Sequence, residues 1–244
     1  MWPFDKKYLL EQMTAGWTDW HCHVLPGVDD GIPELEDSLK VLEYYESCGV
    51  KQVWLTPHIM QDVPNETSAL KERFVELREA YSGPVALHLA SENMLDALFK
   101  ERLAARDLLP LGEGHLLVET SYFSPPMDLW ELLENIKSAG FWPVLAHPER
   151  YVYMGPGDYA RLVGMGVELQ LNLPSLAGSY GKEAQAKALW ILKKGWYGRS
   201  GSDLHRLHVT REALQKPIPL GGPAKEALGK VLQHGNSIGP HSGV

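Results

Sequence analysis

The stretch Asp19-Trp20-His21-Cys22-His23-Val24-Leu25-Pro26-Gly27-Val28-Asp29-Asp30-Gly31 puts two imidazoles, three carboxylates and a Pro-Gly turn into thirteen residues. In an extended strand successive side chains alternate between faces. His21 and His23 are therefore expected to share a face, with Asp19 below them and Trp20, Cys22 and Val24 opposite. Pro26-Gly27 turns the chain and returns Asp29 and Asp30 to the same place. Imidazoles and carboxylates converging at a strand end suit a borderline divalent ion such as zinc, manganese or iron. One H-x-H beside a turn is a weak motif by itself, so the rest of the chain decides.

Working outward, short β-rich runs at 18–24, 52–57, 85–91, 115–119, 142–147, 167–172 and 196–202 alternate with helical patterns. The helices are expected at 33–48, 68–81, 127–139 and 182–194, with a shorter one at 158–163. In the first, Leu35, Leu39, Leu42 and Tyr45 recur at helical spacing and Gly49 marks the stop. Strand and helix repeated in this way predict parallel strands with helices outside, as an open sheet or a closed barrel.

The strand ends choose between the two. The first run ends in His21 and His23, the second in Thr56-Pro57-His58, and the third in Ser91-Glu92. The fourth ends in Glu119, the fifth in His147-Pro148-Glu149-Arg150, and the seventh in Ser202-Asp203-Leu204-His205. Functional groups gathered at the C-terminal ends of nearly all strands are the signature of a barrel, whereas an open sheet needs them only at one switch point. We expect an α/β barrel over residues 1–215. Residues 216–244 read as a C-terminal extension, with one short helix at 224–233 and a disordered tail from 235.

The candidate ligands are His21, His23, Asp30, His58, Glu92, Glu119, His147, Asp203 and His205. Nine N/O donors exceed what one ion can use, which points to two or three ions sharing carboxylates. His88 is expected to be a buried, satisfied barrel histidine, and His115 starts a strand at the wrong end for catalysis. Neither Cys22 nor Cys48 is followed six positions on by arginine, so a cysteine-nucleophile phosphatase loop is missing. The dinucleotide, P-loop and serine-hydrolase signatures are missing too.

Composition narrows the classes further. At 244 residues, 44% apolar and 22% charged, the chain reads as a soluble globular protein of the size of one α/β barrel. A net charge of −8 disfavours a nucleic-acid partner held through phosphates, while bound metal ions would still create a local anion site. No apolar run is long enough to span a membrane, and no secretory signal is expected at the N-terminus. Two cysteines make no disulfide framework, which fits a reducing cytoplasm.

The segments His21–Gly31, Thr56-Pro57-His58, Ala146-His147-Pro148-Glu149-Arg150 and Ser202-Asp203-Leu204-His205 resemble the four motifs of the PHP (polymerase and histidinol phosphatase) superfamily. Their H-x-H-x-L-P-G-x-D-D-G and H-P-E-R forms are similar to those of its bacterial capsule-associated protein-tyrosine phosphatases. The resemblance covers about residues 17–206. It implies a distorted (β/α)7 TIM-like barrel with a trinuclear centre of divalent transition metals (Mn, Fe or Zn). It also implies hydrolysis of phosphotyrosine on a bacterial tyrosine kinase that controls capsule or exopolysaccharide export. Arg150, beside His147, is then expected to grip the phosphate through its planar fork. Leu204-His205-Arg206 stands where the family often has Ala-His-Asn, so the basic residue of that loop is Arg206 or Arg211. Tyr122, Phe123, Tyr151 and Tyr153 are candidates to stack the substrate ring. Two other readings are a phosphatase for a small metabolite such as histidinol phosphate, and a catalytically silent metal-binding partner of the export machinery.

Overall fold

The structure, a computed structural model, describes residues 7–234. In chain order the elements are β1 (Lys7–Leu9), β2 (Thr18–Cys22), α1 (Leu35–Ser47), β3 (Gln52–Leu55), β4 (His58–Ile59), α2 (Thr67–Ala80) and β5 (Ala86–Leu89). Then come β6 (Glu92–Met94), α3 (Ala97–Ala105), β7 (His115–Glu119), α4 (Leu129–Ser138), β8 (Trp142–Ala146), α5 (Pro156–Gly164) and β9 (Glu168–Asn172). The chain finishes with α6 (Leu173–Leu176), α7 (Gly181–Lys194), β10 (Tyr197–Gly201), α8 (Leu207–Gln215), β11 (Pro217–Pro219) and α9 (Gly222–His234).

Strands β2 to β10 pair only in parallel, in the orders β2-β3-β5 and β4-β6-β7-β8-β9-β10. Two of the seven barrel positions are broken strands. The second bends at Thr56-Pro57 between β3 and β4, where proline offers no N–H to the ladder. The third bends at Ala90-Ser91 between β5 and β6. Single backbone bonds carry the ladder across these breaks: Ala90 N to Leu55 O at 2.9 Å and Glu92 N to Pro57 O at 3.1 Å.

The ring closes where β10 meets β2. Asp203 N donates to His21 O at 2.7 Å, and His23 N donates to Leu204 O at 2.9 Å. Only glycine fits at position 201, because an added Cβ would stand 2.4 Å from His21 Cβ. Asp19 fastens the same seam, accepting from Ser202 N at 2.8 Å, Ser202 Oγ at 2.6 Å and Tyr45 Oη at 2.6 Å. A distorted seven-stranded barrel is the architecture expected from the resemblance.

Strict alternation along β2 does not hold. Its pairing with β3 shifts register between Asp19 and Cys22, and a bulge of this kind re-aims side chains at a barrel rim. Trp20, expected to face away from the histidines, belongs to an inner cluster with Trp54, Ala90, Leu117 and Val144. Asp19, expected below them, turns instead to Tyr45 of α1. The inner cluster floors the barrel: His88 stacks on Trp54 at 4.6 Å, Trp54 on Trp20 at 5.4 Å, and Arg199 covers Trp20 at 4.5 Å.

Helices α1, α2, α4, α5 and α7 lie within two residues of the expected ranges. In α1 the buried Ser38, Val41, Leu42 and Tyr45 repeat at helical spacing. Helix α7 stops at Gly195, whose φ of 67° is left-handed, with Lys193 and Lys194 in the last turn against the helix dipole. Helices α3 and α8 are additions to the sequence reading. Their inward faces are thin: Phe99 and Arg102 in α3, and Thr210, Ala213 and Leu214 in α8. The antiparallel pair of β1 with β11 is also additional. Helix α9 packs against β10 and α7 and buries Ala224, Leu228 and Val231. The expected tail from 235 lies outside the described residues.

Candidate metal centre

All nine candidate ligands meet at the C-terminal rim of the barrel. His21 and His23 leave β2 with their Nε2 atoms 3.1 Å apart. Asp203 Oδ1 lies 3.3 Å from each of them, and Glu92 Oε2 lies 3.2 Å from His21 Nε2 and 3.4 Å from His23 Nε2. His58 Nδ1 is 3.2 Å from both Glu92 and Glu119. Asp30 Oδ1 sits between His205 Nε2 at 3.3 Å and His58 Nε2 at 3.5 Å. His147 Nε2 meets Glu92 Oε1 at 3.0 Å.

Three overlapping groups result: His23, Asp30, His58 and His205; His21, His23, Glu92 and Asp203; and His58, Glu92 and Glu119. Within each, the ligand atoms lie within 4.8 Å of one another. Residues shared between groups are what bridged ions require. The donors are nitrogen and oxygen only, since the buried Cys22 gives its thiol to Trp54 O at 3.4 Å. Glu92 Oε2, Glu119 Oε1 and the Nδ1 atoms of His58 and His147 are buried without a well-aligned hydrogen bond. Such atoms are costly in a dry interior and are ready to ligate. The residues therefore fit divalent transition-metal ions.

The imidazoles are aimed by partners behind them. Asp29 Oδ2 accepts from His23 Nδ1 at 2.7 Å and from the His58 amide at 3.0 Å, while Oδ1 accepts from Gly31 N at 2.9 Å. A Cβ on Gly31 would fall 2.2 Å from His23 O, so the turn depends on glycine here. Gln170 Oε1 accepts from His21 Nδ1 at 2.8 Å. Each contact frees Nε2 for the cluster. His147 (φ 35°) and Asp203 (φ 52°) both hold left-handed backbone, which costs a side chain roughly 1–3 kcal/mol and turns each toward the rim.

Charge balance is internal. Burial opposes the imidazolium of His23, but Asp203, Asp29 and Glu92 outweigh it and raise its pKa. Burial likewise opposes the carboxylates of Glu92 and Asp203, yet the surrounding histidines, joined at Asp203 by Arg150, hold both well below the usual range.

Arg150 faces the cluster. Its guanidinium pairs with Asp203 and donates to Tyr122 Oη at 2.5 Å. Glu149, its neighbour in sequence, is buried elsewhere and accepts from Asn172 N and Tyr197 Oη, both at 3.0 Å. Arg206 is exposed and donates to the carbonyls of Asp30 and Gly31 at 2.7 and 2.6 Å, bracing the loop that carries Asp30. Arg211 lies over the Tyr44 ring at 5.5 Å and does not line the cleft above the cluster. That cleft encloses about 630 Å³, and Tyr122, Arg150, Tyr180, His205 and Arg206 form part of its wall.

Of the four aromatic candidates, only Tyr122 lines the cleft. Tyr151 is fully buried, Tyr153 meets Thr120 Oγ1 at 2.5 Å, and Phe123 is 79% exposed outside it. Sequence reading missed Tyr180, which lies in the connection before α7 with no strand-end signal. It also gave no role to the end of the expected strand at 167–172, now β9, whose Gln170 and Asn172 orient His21 and Asp203; Asn172 Nδ2 donates to Asp203 Oδ2 at 3.1 Å. Their inward alternation at the end of β9 was the available signal. His88 is half-buried and bonds Gln52 Oε1 at 3.1 Å. His208 is exposed on α8.

Comparison with known proteins agrees with this architecture. The family model for capsular polysaccharide synthesis, CpsB/CapC, matches residues 17–218. Tyrosine-protein phosphatase YwqE of Bacillus subtilis (strain 168) is 30% identical over 207 residues, spanning 80% of this chain and 82% of that protein. Tyrosine-protein phosphatase CpsB of Streptococcus pneumoniae is 29% identical over 205 residues, spanning 78% and 83%. A crystal structure from work on these two, described as unique metal-dependent tyrosine phosphatases, aligns with a TM-score of 0.72 at 27% identity. That alignment covers 89% of this chain and 94% of the other. The chain belongs to the CpsB/CapC family of capsular polysaccharide synthesis, a family of PHP-type metal-dependent phosphatases.

Proposed function

We propose that this chain is a cytoplasmic, metal-dependent protein-tyrosine phosphatase acting on a bacterial tyrosine kinase of the capsule or exopolysaccharide machinery. The observation that carries the reading is one half-buried arginine, Arg150, set against a thiol-free cluster of eight grouped N/O ligands, with His147 held against Glu92, at the base of an open cleft. The names of the relatives point the same way.

His21, His23, Asp30, His58, Glu92, Glu119, His147, Asp203 and His205 hold two or three divalent ions (Mn, Fe or Zn). When bound, such ions supply Lewis acidity and activate water near neutral pH. The rest is the work of this chain. Arg150 takes the equatorial phosphoryl oxygens through its N–H edge and stabilises their growing charge. Arg206 holds the Asp30 loop and is the second basic group at the cleft. Asp29 and Gln170 keep the His23 and His21 rings in one orientation. A tyrosine leaving group has a pKa near 10 and needs less acid help than a serine would.

The test is one panel with added manganese: a phosphotyrosine peptide, the same peptide with phosphoserine, and histidinol phosphate. Preferred turnover of phosphotyrosine supports the proposal. Preference for histidinol phosphate would move the chain to the small-metabolite class, and metal binding without turnover would make it a silent partner.

A further inference from the structure

Two tyrosine rings lie against Arg150. Its guanidinium carbon lies 4.0 Å from the Tyr180 ring centroid and 4.5 Å from that of Tyr122. Asp203 and Tyr122 Oη each take one hydrogen bond from its edge. Arginine has five N–H donors, so three remain for an oxyanion. With two rings against it and two donors engaged, Arg150 offers an incoming phosphoester its remaining N–H donors.

The two rings come from distant parts of the chain. Tyr122 follows β7, and its carbonyl accepts from Val152 N at 2.9 Å, which ties it to the segment just after Arg150. Tyr180 arrives from the α6–α7 connection, remains 39% exposed, and closes the outer side. Neither is among the metal-ligand groups.

We propose that Tyr122 and Tyr180 are positioning residues that clamp the Arg150 guanidinium edge-on to the cleft and so set its affinity for a phosphoryl group. Tyr180 acts through its ring face, while its hydroxyl meets Asn172. The inference rests on the reading of Arg150 as the phosphate grip. A free arginine side chain would lose rotamer freedom on engaging phosphate; the clamp removes that freedom beforehand.

The experiment compares wild type with Tyr180→Phe, Tyr180→Leu, Tyr180→Ala, Arg150→Lys and Arg150→Lys/Tyr180→Leu, each manganese-loaded. Inorganic phosphate binding is measured by calorimetry, and metals per chain by elemental analysis. Tyr180→Leu and Tyr180→Ala should weaken phosphate about tenfold, the scale of a desolvated cation–aromatic contact. Tyr180→Phe should stay within twofold, and metal content should not change. In the Arg150→Lys background the leucine substitution should add nothing. Tyr180→Leu binding phosphate as tightly as wild type overturns the proposal. So does an equal loss in both backgrounds, or a loss of metal, since either would mark Tyr180 as merely structural. Phosphate binding is read without turnover, so a wild type inactive on phosphotyrosine refutes the proposed function and leaves this result separately readable.

Discussion

Asp29 Oδ2 stands 2.7 Å from His23 Nδ1 and, through the same oxygen, 3.0 Å from the amide of His58. One carboxylate that reaches no ligand group itself thereby sets two ligands, the tautomer of the first and the backbone of the second. Burial opposes its charge, yet the His23 contact holds it well below the usual carboxylate range.

Removing that charge should loosen the centre. Asp29→Asn keeps the shape and is expected to lower metal affinity or turnover by roughly 10–100-fold, the usual scale for such supporting partners. A metal titration beside wild type checks it; an unchanged affinity and rate would mean that the His23 ring is held by packing alone.

The metal content should be two or three ions per chain after saturation with manganese, because the three ligand groups overlap but do not coincide. Chelation should abolish turnover. Cys22→Ser with Cys48→Ser should retain it, since Cys22 bonds Trp54 O and Cys48 lies beside Glu11, away from the cleft. Elemental analysis returning at most one ion would sink the multinuclear site.

Arg150→Lys is expected to reduce turnover about 10²-fold, the loss seen when one preorganised charge-stabilising donor is removed, with metal content unaltered. Lysine cannot reproduce the planar fork. Arg150→Ala should be at least as damaging. Near-wild-type rates in Arg150→Lys would transfer the phosphate grip to Arg206.

Gly201→Ala tests the barrel seam. An added Cβ meets His21 Cβ at 2.4 Å, and overpacking of this kind costs about 1–3 kcal/mol. Denaturant unfolding should show that loss, together with weaker metal binding as His21 is displaced. A variant as stable as wild type would mean that β10 can draw back from β2 without opening the ring.

His88 offers a pH test away from the ligands. Its pKa is lowered by burial, against Trp54 and Gln52. The folded state therefore binds its proton later than the unfolded chain, whose histidine pKa is about 6.5. This contribution is fully present above that value and is lost as pH falls through the lower, folded pKa. Between pH 7 and 5, wild type should lose more stability than His88→Gln. Parallel pH profiles for the two proteins would rule out a titrating His88.

Much of this molecule is legible in its sequence. Alternating β-rich and helical patterns, with His, Asp or Glu closing six of seven strands, determine a barrel and its functional rim, because strand periodicity and chain direction are local properties. The candidate ligands are legible for the same reason: His, Asp and Glu have few neutral explanations when they recur at six of seven strand ends. Tertiary structure alone decides what depends on residues far apart in the chain. The bulge that sends Trp20 inward and Asp19 to Tyr45 arises from pairing β2 with β3, and pairing energy is invisible to a single strand's pattern. Gln170 and Asn172 become supports only when β9 closes against β10. Tyr180 and Tyr122 enclose Arg150 from segments 58 residues apart, a contact that only the closed barrel creates. The chain itself chose the chemistry of the site, while closure of the ring chose which neutral side chains aim it.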